Sequence, residues 1–235
     1  MSPSNKVNPP NNPRVIIVGA GPAGSATACH LARVGIDCLL IDRKPFPRDK
    51  VCGDCLSPRA QRQLDRLGLL ETVEAKAHAV TGIRFRAPNG GCSETHRLAS
   101  HDLPNQTLVI PRAQFDQLLQ QEAVRLGARF LQASVQTLLD DQLHPVQANP
   151  DRTIPIRGVL IDGQPIRADW VVLATGAALP LLKQAGLAPE PAHLSRAARL
   201  YAQGTQPLPP RLQFFFDELP LPGYAWLFPT GPSSA

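Results

Sequence analysis

A glycine-rich turn near the start of the chain has the spacing of a diphosphate-binding loop. Gly19, Gly21 and Gly24 form a GxGxxG pattern directly after an apolar run at residues 14–18. The first glycine permits a tight turn, the second lets the backbone approach a pyrophosphate, and the third lets a helix pack closely on a strand. The N-terminus of that helix offers free N–H groups and a partial positive charge to an anion. The pattern therefore predicts a dinucleotide site.

An acidic residue follows the loop at the distance that ribose binding requires. The apolar run 37–41 ends at Asp42, so the order strand, glycine turn, helix, strand is that of a βαβ unit. A carboxylate in this place accepts hydrogen bonds from the ribose of adenosine. Because Asp42 would serve NAD as well as FAD, this unit leaves the choice of dinucleotide open. A tight turn without a ligand is the alternative interpretation.

A CxxC pattern, Cys52 to Cys55, lies beyond the predicted βαβ unit. Such a pair is a redox dithiol, half of a zinc site, or neither. A structural zinc site needs four ligands, and the sequence has one CxxC and no histidine pair at HxxxH-like spacing. We therefore expect no metal site, while the redox dithiol stays open.

Composition limits the classes of protein to consider. The chain has 235 residues, 43% of them apolar, which is enough for a sizeable core. Its net charge is +5, but the basic residues are scattered and no nucleic-acid motif accompanies them, so we expect no nucleic-acid partner. An odd number of cysteines and no secretory signal indicate a reducing compartment. No apolar run is long enough to span a bilayer, which predicts a cytoplasmic protein that is at most peripheral to a membrane.

The remaining pattern predicts an α/β protein. Residues 1–13 are rich in proline and asparagine, which indicates a disordered lead-in. Doubly wound α/β architecture with an inserted, mostly β portion fits the order of the other elements. The helices are expected at 57–68 and 112–126. The strands are expected at 81–87, 107–111, 129–139, 156–162 and 169–174, and further antiparallel strands at 195–204, 212–219 and 224–228.

Several motifs together resemble one family of flavoenzymes. In chain order they are GAGPAG, IDRKPFPRDKVCGDCLSPRAQRQLDRLGL, VIPRAQFDQLL, ADWVVLATGA and PGYAWLFPTG. This order is similar to that of the geranylgeranyl reductase family of FAD-dependent oxidoreductases, which shares its fold with p-hydroxybenzoate hydroxylases. The resemblance implies a Rossmann-like FAD-binding domain formed by 14–80 and 107–185. It also implies an inserted, incomplete antiparallel β region on the substrate side, formed by 81–106 and 192–235.

The resemblance also implies roles for individual residues, although it assigns no catalytic residue. Arg112 has a second interpretation, as a helix-start residue paired with Asp116 one turn on. The alternating aromatic residues near the C-terminus are equally typical of a strand with core contacts. The implied cofactor side comprises Gly19, Gly21, Gly24, Asp42, Arg43, Arg48, Cys52, Gly53, Asp54, Arg112, Thr175 and Gly176, and the implied substrate side comprises Tyr224, Trp226 and Phe228.

The function that the resemblance implies is hydride transfer from reduced FAD to an isoprenoid double bond. NADPH is the candidate transient electron donor, and the substrate is expected to be lipophilic. A second flavin motif of the family, G-D-A-A-G, does not occur in the sequence. We therefore expect weakened FAD binding and consider a truncated protein that a C-terminal partner chain would complete. The alternatives are an aromatic or quinone hydroxylase and a non-catalytic ADP-binding or FAD-binding remnant.

Overall fold

The computed structural model describes residues 12–95, 103–147, 154–188 and 196–235. The predicted lead-in lies outside these residues except for positions 12 and 13. Two compact units divide the chain: Met1–Arg48 with Asp116–Ser195, and Asp49–Phe115 with Arg196–Ala235. The first is called the loop unit below, because it contains the glycine-rich loop, and the second is called the aromatic unit.

The described residues form fourteen strands and five helices. The strands are β1 (Val15–Val18), β2 (Cys38–Asp42), β3 (Cys55–Leu56), β4 (His78–Val80), β5 (Gly82–Arg86), β6 (Cys92–Thr95), β7 (Thr107–Val109), β8 (Arg129–Gln132), β9 (Val135–Leu139), β10 (Gly158–Ile161), β11 (Gln164–Arg167), β12 (Trp170–Leu173), β13 (Arg211–Phe215) and β14 (Ala225–Leu227). The helices are α1 (Pro22–Arg33), α2 (Pro58–Arg66), α3 (Leu70–Glu74), α4 (Arg112–Arg125) and α5 (Pro180–Gln184).

A four-stranded parallel sheet forms the centre of the loop unit. Its order is β12-β1-β2-β8, and helix α1 connects β1 to β2, which confirms the predicted βαβ unit. All four residues of β1 are buried, as a strand covered on both faces requires. Because the strands are parallel, their carboxyl ends meet at one edge of the sheet.

Small residues let α1 lie close to this sheet. A Cβ atom added to Gly24 would lie 1.8 Å from the carbonyl oxygen of Gly19. Gly19 itself has φ +104°, and a Cβ there would lie 2.3 Å from the carbonyl oxygen of Ala174. Both positions therefore need glycine, one for packing space and the other also for its backbone conformation.

The loop unit also contains an antiparallel sheet in the order β11-β10-β9. The sequence predicted one strand at 129–139, and this was wrong because the chain forms two strands that join different sheets. The Ala133 N–H donates to the Asp42 carbonyl at 2.9 Å, which ends the pairing with β2 before β9 begins. Apolar side chains of both sheets, such as Ile16 and Val159, share one core cluster.

The aromatic unit contains a mixed sheet in the order β14-β13-β5-β6. Strands β13 and β14 pair antiparallel, as predicted for this region, and so do β5 and β6, whereas β13 lies parallel to β5. The strand predicted at 195–204 is absent from the described residues 196–204. The backbone of that segment instead makes an isolated bridge from Gln203 to Ser234 and reciprocal hydrogen bonds between Ala202 and Ala235.

A second sheet of this unit has the order β3-β7-β4. Strand β7 pairs with both β3 and β4, which holds residues 49–80 and 107–115 together in the aromatic unit. The predicted bounds of the FAD-binding domain stay a prediction. Helix α2 confirms the predicted cap, since the Ser57 hydroxyl accepts from the Ala60 N–H at 3.3 Å. None of the helices in the described part of the chain combines the length and the apolar character that crossing a bilayer requires.

Two alanine substitutions separate packing from ligand contact in the glycine loop. We expect Gly24→Ala to lower the free energy of unfolding by about 1–3 kcal/mol, because the new methyl group meets backbone that cannot move aside. Gly21→Ala should leave it nearly unchanged, since a Cβ there meets only Arg48 Nη2, at 3.5 Å. Urea denaturation of both variants measures the difference. Equal loss in both variants would contradict the packing argument.

Candidate functional site

The N-terminus of α1 is available to an anion. Gly21 occupies the cap position, no side chain caps the helix, and its first turn contains no acidic residue. The first N–H groups of such a helix have no intrahelical partner and carry a partial positive charge. The space beside Gly21 would admit a Cβ atom, so backbone is accessible there. These features fit the diphosphate of a dinucleotide.

Asp42 ties the end of β2 to the glycine loop. Its Oδ2 accepts a hydrogen bond from the Ala20 N–H at 2.9 Å, and its Oδ1 accepts one from the Lys44 N–H at 3.0 Å. A carboxylate has about four acceptor positions, so Asp42 retains capacity for a ribose hydroxyl. Its carboxylate therefore both shapes the loop and remains able to bind.

A buried ion-pair network surrounds this acid. Arg48 Nη2 lies 3.4 Å from Asp42 Oδ2, and Arg48 Nη1 lies 3.1 Å from Asp116 Oδ2. The Asp116 side chain is fully buried, and the other two side chains are 11% exposed. The guanidinium also lies over the Phe46 ring, 5.0 Å from its centroid, and that ring contacts Phe130 edge-on. Arg48, predicted as a cofactor residue, is thus held beside the loop by Asp116, which the sequence did not assign to the site.

The turn after β12 completes the carboxyl edge of the parallel sheet. The Thr175 hydroxyl donates to the Ala178 carbonyl at 2.7 Å, and Gly176 has φ +60°. Gly19, Asp42 and Thr175 therefore lie at the carboxyl ends of three strands of one sheet, at the same edge. Arg43, next to Asp42, is exposed.

The other predicted cofactor residues belong to the aromatic unit. Among them, Gly53 packs against the predicted substrate side: a Cβ atom on Gly53 would lie 2.7 Å from Phe228 Cε2 and 3.6 Å from Trp226 Nε1. Cys52 is half-buried, and so is Arg112, the first residue of α4. A side chain at Gly53 would therefore displace the Phe228 ring, so the backbone of this segment lies directly against the aromatic side chains.

These aromatic side chains form a continuous group. The Phe214 ring lies 5.1 Å from that of Phe228 and 6.0 Å from that of Tyr224, and Tyr224 lies 6.1 Å from Trp226, measured between centroids. Phe85 stacks on Phe214 at 5.2 Å. Tyr224 and Phe85 are exposed, which leaves part of the group accessible to an apolar ligand.

Asp54 is a buried carboxylate with unequal partners. It is 4% exposed and has φ +59°. Its Oδ2 accepts from the Tyr201 hydroxyl at 2.6 Å, whereas its Oδ1 has no hydrogen-bond partner among the described residues. Burial raises the pKa of Asp54 against the opposing effects of the Tyr201 hydroxyl and the Arg199 charge.

Tyr201 and Arg199 were both missed by the sequence analysis. The Arg199 guanidinium lies 3.9 Å from the centroid of the Tyr201 ring and pairs with Asp49. Burial and the hydrogen bond to Asp54 raise the pKa of the Tyr201 hydroxyl. No sequence signal pointed to this cluster, because its members lie about 150 residues apart in the chain and share no motif.

The two cysteines of the CxxC pattern form no disulfide, and one of them is poorly ionised. Cys52 and Cys55 are both free thiols. Burial and, to a smaller extent, the nearby Cys52 together raise the pKa of Cys55 to about 11. Among the residues that the structure describes, no group of three or more His, Cys, Asp or Glu side chains could hold a metal ion.

Comparison with known families decides the class of nucleotide. Residues 12–204 match the family model described as an FAD binding domain. The chain belongs to this FAD-binding family. The match includes the glycine loop, Asp42, Arg48 and the turn at Thr175, and it extends over both structural units.

The relatives of this FAD-binding chain include reductases. A menaquinone reductase of Mycolicibacterium smegmatis is 30% identical over 223 residues, covering 92% of this chain and 52% of that protein. A digeranylgeranylglycerophospholipid reductase of Methanopyrus kandleri is 30% identical over 228 residues, covering 94% and 56%. The chain spans about half the length of the curated relatives it matches.

Solved structures confirm the fold of the FAD-binding chain. A geranylgeranyl bacteriochlorophyll reductase-like protein of Thermoplasma acidophilum superposes with a TM-score of 0.71 at 20% identity, covering 95% of this chain and 55% of that one. A flavin-dependent brominase superposes with a TM-score of 0.70 at 21% identity, covering 94% and 54%. The predicted Rossmann-like α/β class is thereby confirmed.

The environment of Asp54 predicts a pH dependence of stability. Because its folded-state pKa is raised, the folded chain holds this proton more tightly than the unfolded chain does. Its contribution to stability is full below the ordinary carboxyl pKa and is lost as pH rises through the raised value. Asp54→Asn cannot titrate, so the unfolding free energy of wild type relative to this variant should fall with pH over that window. A difference that rises with pH would contradict the burial argument.

The raised pKa of Cys55 predicts slow alkylation. With a pKa of about 11, little thiolate exists at neutral pH, and only the thiolate reacts. In a variant that retains only Cys55, the rate with iodoacetamide should rise about tenfold per pH unit between about pH 8 and pH 10. The exposed Cys92, retained alone in a second variant, is the control. Rapid alkylation of Cys55 at neutral pH would instead indicate a redox-active thiol.

Proposed function

We propose that the loop unit holds the adenosine diphosphate half of FAD. The observation that carries this is the hydrogen bond from the Ala20 N–H to Asp42, which fixes a ribose-binding acid against an uncapped helix N-terminus. The helix donors would receive the diphosphate, and the remaining acceptor positions of Asp42 would receive ribose hydroxyls. Arg48 would lie beside the ribose-binding acid, with its charge compensated by Asp42 and Asp116.

We further propose that the chain is the FAD-binding part of a reductase that acts on an isoprenoid double bond. Its relatives carry names that describe a quinone reductase and a geranylgeranyl lipid reductase. The aromatic group around Phe214 offers the apolar, partly exposed surface that an isoprenoid chain would contact. Peripheral membrane contact, NADPH as electron donor and a C-terminal partner chain stay predictions.

The cofactor and the protein would have different roles in this reaction. Reduced flavin supplies the hydride when it is bound, as flavin cofactors do in general. The protein's part is to bind, orient and exclude water. Phe228 and Trp226 support the segment around Gly53, and apolar rings at this place would keep water from a lipophilic substrate.

Tryptophan fluorescence tests the substrate side directly, because the chain has only two tryptophans. Trp226 lies in the aromatic group, whereas Trp170 lies in the loop unit and is 66% exposed. In Trp170→Phe, emission comes from Trp226 alone, and we expect geranylgeraniol to shift it to shorter wavelength with saturation. In the matched variant Trp226→Phe, emission from Trp170 should not change. The reverse pattern would exclude the aromatic group as the substrate side.

Product analysis then tests the reaction. FAD-loaded protein reduced with dithionite and incubated anaerobically with a geranylgeranyl lipid should yield a product heavier by two hydrogens per reduced double bond. Replacing Trp226 with leucine should lower the yield, and replacing Trp170 should not. A product that gains oxygen in air and is never saturated would support the hydroxylase alternative.

A further inference from the structure

We propose that Asp116 determines which adenosine dinucleotide the loop unit accepts. By occupying the guanidinium of Arg48, it keeps that cation from receiving a phosphate on the ribose 2′-oxygen. The site thereby selects an adenosine whose 2′-position is a free hydroxyl. This inference rests on the proposed ADP site and adds to it a basis for excluding 2′-phosphorylated nucleotides.

The charge balance of the network is the first argument. Two carboxylates, Asp42 and Asp116, face the one guanidinium of Arg48. The three groups together carry one net negative charge next to the glycine loop. Their burial leaves little water to screen this charge, so it repels an added phosphate dianion more strongly than an exposed charge would.

The position of Arg48 is the second argument. An arginine close to the ribose acid is the feature by which dinucleotide sites accommodate a 2′-phosphate. Arg48 has that placement, since its Nη2 lies 3.4 Å from Asp42 and 3.5 Å from where a Gly21 Cβ would be. Its Nε has no hydrogen-bond partner among the described residues, so the guanidinium still has a donor without an acceptor. The carboxylate of Asp116 is what neutralises it.

The guanidinium of Arg48 is held in place by two contacts. Asp116 is fully buried on α4 and pairs with it, and the guanidinium also lies over the Phe46 ring. Arg48 would have to break a buried ion pair to contact a phosphate. Such a break leaves an uncompensated buried charge, which is strongly unfavourable.

The selection has a chemical purpose. FAD and NADPH both contain adenosine diphosphate, but only NADPH carries a 2′-phosphate on the adenosine ribose. A flavoenzyme that used NADPH as reductant would have to keep this nucleotide out of the FAD site. The Asp42, Arg48 and Asp116 network supplies that discrimination with residues of the loop unit alone.

The test compares two ligands that differ only in the 2′-phosphate, ADP-ribose and 2′-phospho-ADP-ribose. Isothermal titration of the full chain should show that the wild type prefers ADP-ribose. Asp116→Asn keeps the size of the side chain but removes its charge, and we expect it to lower that preference about tenfold. Glu122→Gln is the matched control, because Glu122 is also buried on α4 and pairs with Arg125 instead. It should leave the preference unchanged.

Each outcome decides a separate point. If the wild type binds neither ligand, the proposed ADP site is wrong. If Asp116→Asn weakens both ligands equally, Asp116 is only structural and the inference is overturned. Arg48→Leu is a second test variant in case Asp116→Asn does not fold. Removing the cation should strengthen the preference for ADP-ribose. A weakened preference in this variant would also overturn the inference.

Discussion

The hydrogen bond between the Ala20 N–H and the Asp42 carboxylate holds together the two halves of the proposed nucleotide site. It joins the glycine loop after β1 to the end of β2 at 2.9 Å. A bond to a charged acceptor contributes about 1.5–3 kcal/mol, more than most single contacts on a protein surface. The close packing of Gly24 on Gly19 brings the loop to the place where this bond forms. The uncapped end of α1 and the ribose acid therefore keep a fixed separation.

Buried carboxylates are stabilised in two different ways in this chain. Asp116 faces a guanidinium, so its charge is compensated where it lies. Asp54 accepts from a tyrosine hydroxyl at one oxygen and has no hydrogen-bond partner at the other among the described residues, and its burial raises its pKa. The first arrangement suits a fixed charge that selects ligands. The second accompanies a left-handed backbone conformation at Asp54 itself, between the CxxC cysteines.

Local patterns in the sequence were sufficient for the βαβ unit and helices α2 and α4. Glycine spacing, a capping serine and an apolar run each depend only on residues that are close in the sequence, so they predict local structure without knowledge of the fold. Pairing over long separations cannot be read in this way. The contacts of Asp116 with Arg48 and of Tyr201 with Asp54 form only when the chain folds. An apolar strand pattern likewise does not predict that β13 lies parallel to β5.

The most direct test of this account is an equilibrium titration of the chain with FAD, followed by flavin absorbance and repeated in the presence of ADP. If the loop unit holds the adenosine diphosphate half, FAD binds saturably at one site per chain and ADP displaces it. Gly21→Ala should then weaken both ligands while the chain stays folded, because the new methyl group lies where the diphosphate approaches the backbone. FAD binding that ADP does not displace, or no binding at all by the folded chain, would contradict the account.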